Sequence, residues 1–161
     1  METIFLPSKM HFAPGAAEHE SILTIEPLHH GYGTTVGNSL RRVMLSSLPG
    51  AAVTAMKIKG VQHEFSTVPG VKEDVLDIML NLKKLRMKVH SEEPVTLKLV
   101  ANKEGVVTAA AFEKNADVEI ANIDLELATI TDAKAVLDME ITVSRGRGYV
   151  PTEERDSAPT E

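Results

Sequence analysis

From residue 87 onward the apolar positions recur every second residue. Val95, Leu97 and Leu99 alternate with Thr96 and Lys98, and Leu137, Met139, Ile141 and Val143 alternate with Asp138, Glu140 and Thr142. Successive side chains of a strand point to opposite faces, so this period predicts strands with one buried face. The runs MKVH, PVTLKLV, VVTAAAF, DVEIAN, DLELATI and AVLDMEITV are mostly separated by turn formers such as SEEP, NKEG, KNA and TDAK. Short connections of that kind join antiparallel neighbours.

The first half has a different rhythm. In GVKEDVLDIMLNLKKLR (70–86), Val71, Val75, Ile78, Met79, Leu82 and Leu85 follow the 3.6 period of a helix. Glu73 and Asp74 would lie in its first turn and Lys83, Lys84 and Arg86 in its last, each at the end that the helix dipole favours. VGNSLRRVMLSSLPG (36–50) predicts a second helix, closed by Pro49 and Gly50, with Thr34 or Thr35 as its N-cap. SILTIEPL (21–28) and AAVTAMKIKGV (51–61) read as strands. Residues 1–20, with Pro7, Pro14 and Gly15, read as a loosely held arm with room for one short strand, and TEERDSAPTE (152–161) as an unstructured tail. The predicted class is α+β, two helices followed by a mostly antiparallel sheet.

Both helices carry more apolar surface than one core needs. At roughly 100° per residue, Val36, Leu40, Val43, Met44 and Leu48 form one stripe. Gly37 and Ser47 lie inside it, small enough for another backbone to come close. Asn38, Arg42 and Leu45 point elsewhere, and Arg41 lies near the stripe's margin. An aliphatic side chain ringed by guanidinium groups has the composition of a protein interface; an isolated exposed leucine with solvated arginines has it too. The second helix repeats the theme, with Leu76 and Leu80 outside its core stripe beside Glu73 and Asp77.

Composition narrows the chemistry. The 161 residues suffice for one domain with a core, or for one domain plus a small insert. A net charge of −6 and 4% aromatic residues without tryptophan argue against gripping a phosphate backbone or stacking bases. No cysteine is present, which removes thiolate nucleophiles and Cys-based zinc sites and fits a cytoplasmic location. The six histidines, His11, His19, His29, His30, His63 and His90, lack the spacing of a metal site, so neither metal nor cofactor is expected. GYGTTVG (31–37) invites a nucleotide-binding reading but matches neither the dinucleotide fingerprint nor a P-loop. The glycine-spaced arginines of RGRGYVP (145–151) read as a loop after a strand, able to clamp a phosphate or a carboxylate, or simply solvated.

In order along the chain, EPLHHGYGTTVGNSLRRVMLSSLPGAAVTAMKIKGVQHEFSTVPGVKEDVLDIMLNLKKLRMKV and RGRGYVP resemble one family, the amino-terminal domain of the α subunit of bacterial DNA-directed RNA polymerase. The resemblance runs from about Ser21 to Pro151. It implies a non-catalytic assembly subunit of a nucleotidyltransferase complex, which dimerises and recruits the β and β′ subunits. It also implies the first part of a dimerisation subdomain over 21–51 and an inserted, β-rich subdomain over 52–151. By the same resemblance, Asn38, Arg41, Arg42, Leu45, Asp77, Lys83, Arg145 and Arg147 would meet the large subunits, and Val36, Leu40, Val43, Met44 and Leu48 would form the dimer interface. In the family the chain continues past RGRGYVP to complete the dimerisation domain. The expectation for this sequence is therefore an incomplete dimerisation subdomain, which leaves homodimerisation open. The alternatives are an α-like interaction module outside transcription, and a nucleotide-binding enzyme at GYGTTVG.

Overall fold

The computed structural model describes residues 4, 6–17 and 19–151; the predicted tail over 152–161 lies outside the described residues. The chain divides into two compact units, Met1–Leu48 and Pro49–Glu161. Among the described residues the fold is mixed α and β with two α-helices, and every strand pairing is antiparallel.

In the first unit, β1 (Lys9–Pro14) and β2 (Ser21–Glu26) form a hairpin, paired from Lys9 opposite Glu26 to Pro14 opposite Ser21. The short strand allowed for in the arm is thus β1. Its turn is fastened by the Glu20 carboxylate, which accepts from the N–H groups of Ala16 (3.0 Å) and Ala17 (3.2 Å). Helix α1 (Tyr32–Ser46) begins earlier than the apolar pattern indicates. Its cap is Gly31, not Thr34 or Thr35, at a left-handed φ of 80° that glycine takes without a side-chain clash. The serines of α1 turn inward on its backbone: Ser39 Oγ donates to Thr35 O at 2.8 Å and Ser46 Oγ to Arg42 O at 2.6 Å. No residue of α1 is buried.

The second unit holds every buried side chain among the described residues. Its main sheet has the order β3 (Pro49–Ile58), β9 (Leu137–Arg147), β5 (Val95–Ala101). Central β9 drives Leu137, Met139, Ile141 and Val143 into the core, each 0% exposed, as its alternation predicts. The outward positions carry charge. Lys98 lies 3.6 Å from Glu140 and 3.9 Å from Asp138, and Lys59 lies 3.8 Å from Asp138. Two further pairs, β4 (Met87–Val89) with β7 (Val118–Ile120) and β6 (Gly105–Thr108) with β8 (Glu126–Ile130), complete the strands.

In β3 the apolar alternation breaks phase. Ala51 and Val53 are inward, and then Met56 and Ile58. The backbone answers with a bulge between Val53 and Ala55, so that Val53 faces Val143 while Met56 faces Ile141. An extra residue in one strand is what lets both halves keep their apolar side on the core.

Helix α2 (Val75–Leu82) is much shorter than the predicted 70–86. Asp74 is its N-cap, accepting from Asp77 N at 2.7 Å. Residues 70–72 instead run along β8: Lys72 N donates to Thr129 O (2.9 Å) and Thr131 N to Gly70 O (2.8 Å). Gly70 has φ +73°, and a Cβ there would lie 2.5 Å from Ala135 Cβ, so the glycine is needed both for the turn and for the approach. Glu73 then caps the strand rather than serving the helix dipole. Its carboxylate accepts from Thr129 N (2.6 Å) and Thr129 Oγ1 (2.9 Å). Asn81 Nδ2 donates to Leu127 O (3.2 Å), so side chains flanking or borne by α2 occupy the outer edge of β8. Past α2, Asn122 Oδ1 accepts from Arg86 N (2.8 Å) and its Nδ2 donates to Lys84 O (3.0 Å), tying the helix exit to the end of β7.

Candidate functional site

The first unit presents a groove of about 560 Å³ between β2 and α1. Leu23, Ile25 and Leu28 form one wall, and Val36, Leu40, Met44 and Leu45 the other, with Arg41 at its margin. Gly33 and Gly37 also line it, and a Cβ at either would meet nothing within 4 Å. The groove is thus wide where α1 is thinnest. Val36 is half-buried, whereas Leu40 (41%), Val43 (52%), Met44 (64%) and Leu48 (57%) are exposed. Leu45 is the most exposed of the helix's leucines at 66%, and it joins Val36, Leu40 and Met44 along the groove instead of standing alone. Arg42, Asn38 and Val43 do not line it. Among the described residues neither Arg41 nor Arg42 is in an ion pair.

Helix α2 turns Val75, Ile78 and Leu82 inward and leaves Leu76 (40%) and Leu80 (48%) exposed, with the exposed Asp77 on the same outer side. Phe65, 78% exposed, lies in the preceding segment, whose Ser66 O accepts from Val75 N. Lys83, at the end of α2, lines a second groove of about 360 Å³ with Met79, the β3 bulge from Val53 to Met56, and Tyr149.

RGRGYVP begins as strand, and only its last four residues lie beyond the sheet. Arg145 and Arg147 belong to β9, opposite Ala51 and Pro49, and the left-handed Gly148 (φ 63°) follows the strand. The sheet pairing extends the ladder past the last buried residue, Val143, which is why the apolar pattern does not reveal it. Both arginines are exposed, and Arg145 lines a third groove, of about 250 Å³, with Pro49, Gly50, Ala51 and Met87 to Val89. Lys83 and Arg145 therefore sit in separate grooves.

The other chemical candidates gather nothing. Among the described residues no three His, Asp or Glu side chains are grouped to hold a metal ion. The His63 ring meets Ser66 Oγ at 3.1 Å, and His29 packs edge-on to Tyr32 at 5.5 Å. Among the described residues no helix is long and apolar enough to cross a membrane.

Known proteins share this arrangement of sequence. A family model described as the RNA polymerase Rpb3/RpoA insert domain matches residues 56–161. The chain belongs to the bacterial RNA polymerase α-subunit family. It is 61% identical over 130 residues to the DNA-directed RNA polymerase subunit alpha of Alkaliphilus oremlandii, covering 81% of this chain and 41% of that one. The protein of the same name from Symbiobacterium thermophilum is 62% identical over 130 residues, with the same coverage. That of Roseiflexus sp. is 53% identical over 144 residues, covering 89% of this chain and 45% of the relative. This α-family chain thus spans less than half the length of these curated relatives.

Two parts of these surfaces escape sequence reading. The far wall of the first groove comes from β2, whose Leu23 and Ile25 look like ordinary strand positions; nothing local says that α1 leaves them uncovered. Tyr149 and the β3 bulge meet Lys83 only through the tertiary fold. The phase break at Thr54 is the one local signal that could have marked the bulge.

Proposed function

We propose that this chain is a non-catalytic assembly subunit of a cytoplasmic bacterial DNA-directed RNA polymerase. In this reading it binds the β and β′ subunits and pairs with a second α subunit. Bond-making chemistry belongs to the large subunits, and this chain supplies surface. Arg42, with Asn38, Arg41 and Leu45, meets β, and the outward side of α2 with Asp77 and Lys83, together with Arg145 and Arg147, extends the contact to the large subunits. Val36, Leu40, Val43, Met44 and Leu48 take part in pairing.

The observation that carries the reading is α1 itself, a fifteen-residue helix with no buried side chain. Helical stability in proteins comes mostly from packing an amphipathic face, so a helix left this open is cover for further polypeptide, which supports a role in assembly. The open space over Gly33 and Gly37 supports the close approach of a second backbone.

Arg42→Ala tests it. The variant should keep the thermal midpoint of the parent and lose about tenfold in affinity for purified β, the scale of an interfacial arginine. Unchanged affinity removes Arg42 from the site. Failure of the unsubstituted chain to enter a polymerase that contains β and β′ would favour an α-like module outside transcription.

A further inference from the structure

Helix α2 is only eight residues long, too short to hold itself in water. Its inward contacts, through Val75, Ile78 and Leu82, are apolar and therefore non-directional. They set which face is inward and leave small rolls about the axis to directional bonds. Val75 N donates to Ser66 O at the start and Asn122 ties the exit, and two further side chains reach from the helix region to β8. Glu73, just before the cap, receives Thr129 N at 2.6 Å and Thr129 Oγ1 at 2.9 Å, and Asn81, in the last turn, reaches Leu127 O at 3.2 Å. Glu73 precedes the N-cap and Asn81 lies in the last turn, so the two anchors stand at opposite ends of the helix. Their targets lie on one edge of β8, two residues apart. A single anchor is a pivot; two separated anchors prevent rolling.

We infer that Glu73 and Asn81 are positioning residues, which lock α2 to the edge of β8 and hold Leu76, Asp77 and Leu80 outward in one orientation. Use of that face by the β subunit rests on the function proposed above; the orientation itself does not. Glu73 is the stronger anchor, because an ionised carboxylate receiving two donors makes charge-assisted bonds.

The absence of native cysteine allows nitroxide labels to be placed freely. Leu80→Cys on α2 and Val106→Cys on β6 are exposed positions whose separation reports the roll of the helix. Pulsed electron paramagnetic resonance should give one narrow distance distribution in this background. Glu73→Ala and Asn81→Ala should broaden it, and Glu73→Gln, which keeps an acceptor for Thr129 N, should restore the narrow one. In the unlabelled chain, Glu73→Ala should lower affinity for the β subunit of Symbiobacterium thermophilum polymerase by about tenfold. Leu97→Ala, which removes a buried side chain of β5 and leaves Glu73 and Asn81 in place, should leave that affinity within about threefold when both are measured well below their melting points. A narrow distribution in Glu73→Ala or in Asn81→Ala overturns the inference, and an affinity loss no larger than that of Leu97→Ala overturns the docking role of the face. If no version binds β yet Glu73→Ala and Asn81→Ala both lose the narrow distribution, the docking role fails and the positioning role stands.

Discussion

Asn122 stands in for two backbone groups at once. Its amide oxygen takes the N–H of Arg86 and its amide nitrogen supplies the O of Lys84, so one half-buried side chain closes the exit from α2. Asn122→Ala leaves that N–H and that carbonyl without their partners and should lower unfolding free energy by about 2 kcal/mol. Urea titration would show it as a shifted midpoint at unchanged slope. No sequence reading singles out Asn122, which sits in a polar connection where asparagine is ordinary. Leu137 to Val143 are the opposite case: period two names their buried face residue by residue, because burial there is set by the strand alone. Arg145 and Arg147 fall between. Two glycines and no apolar partner suggest a loop, yet the backbone ladder with β3 continues through them.

At the level of elements, the six runs after residue 86 become β4 to β9, with VVTAAAF split into a strand and a short 3-10 turn over Ala109–Ala111. The helices are legible in kind but not in extent. In α2 the acids at 73 and 74 satisfy a dipole argument equally well if they start a helix or cap one, and only the contact with β8 decides. Asp74→Ala should therefore destabilise by about 1 kcal/mol, the loss of a capping oxygen, while Asp74→Ser should recover most of it. Differential scanning calorimetry distinguishes the two. If Asp74 were an interior first-turn residue, alanine would be the better helix former and the order would reverse.

On the scale of the whole molecule, the buried side chains among the described residues come from the second unit, while the first presents a hairpin and a helix with open apolar surface. The candidate pairing stripe was visible in the sequence as a period; its lack of cover was not, since a period says which residues share a face and never what lies opposite. The double substitution Val43→Ser, Met44→Ser should leave the principal thermal midpoint within about 1 °C, since surface changes are usually small in energy. It should also reduce self-association in sedimentation velocity, because it removes exposed apolar area. A large drop in the midpoint would mean that α1 packs into the folding core after all.

This separation has an evolutionary corollary. No side chain of α1 is committed to the buried core, whereas in α2 and β9 buried and outward residues interleave. Drift in the exterior of α1 can therefore change the surface it presents without touching that core, a freedom that α2 and β9 have only at their outward positions.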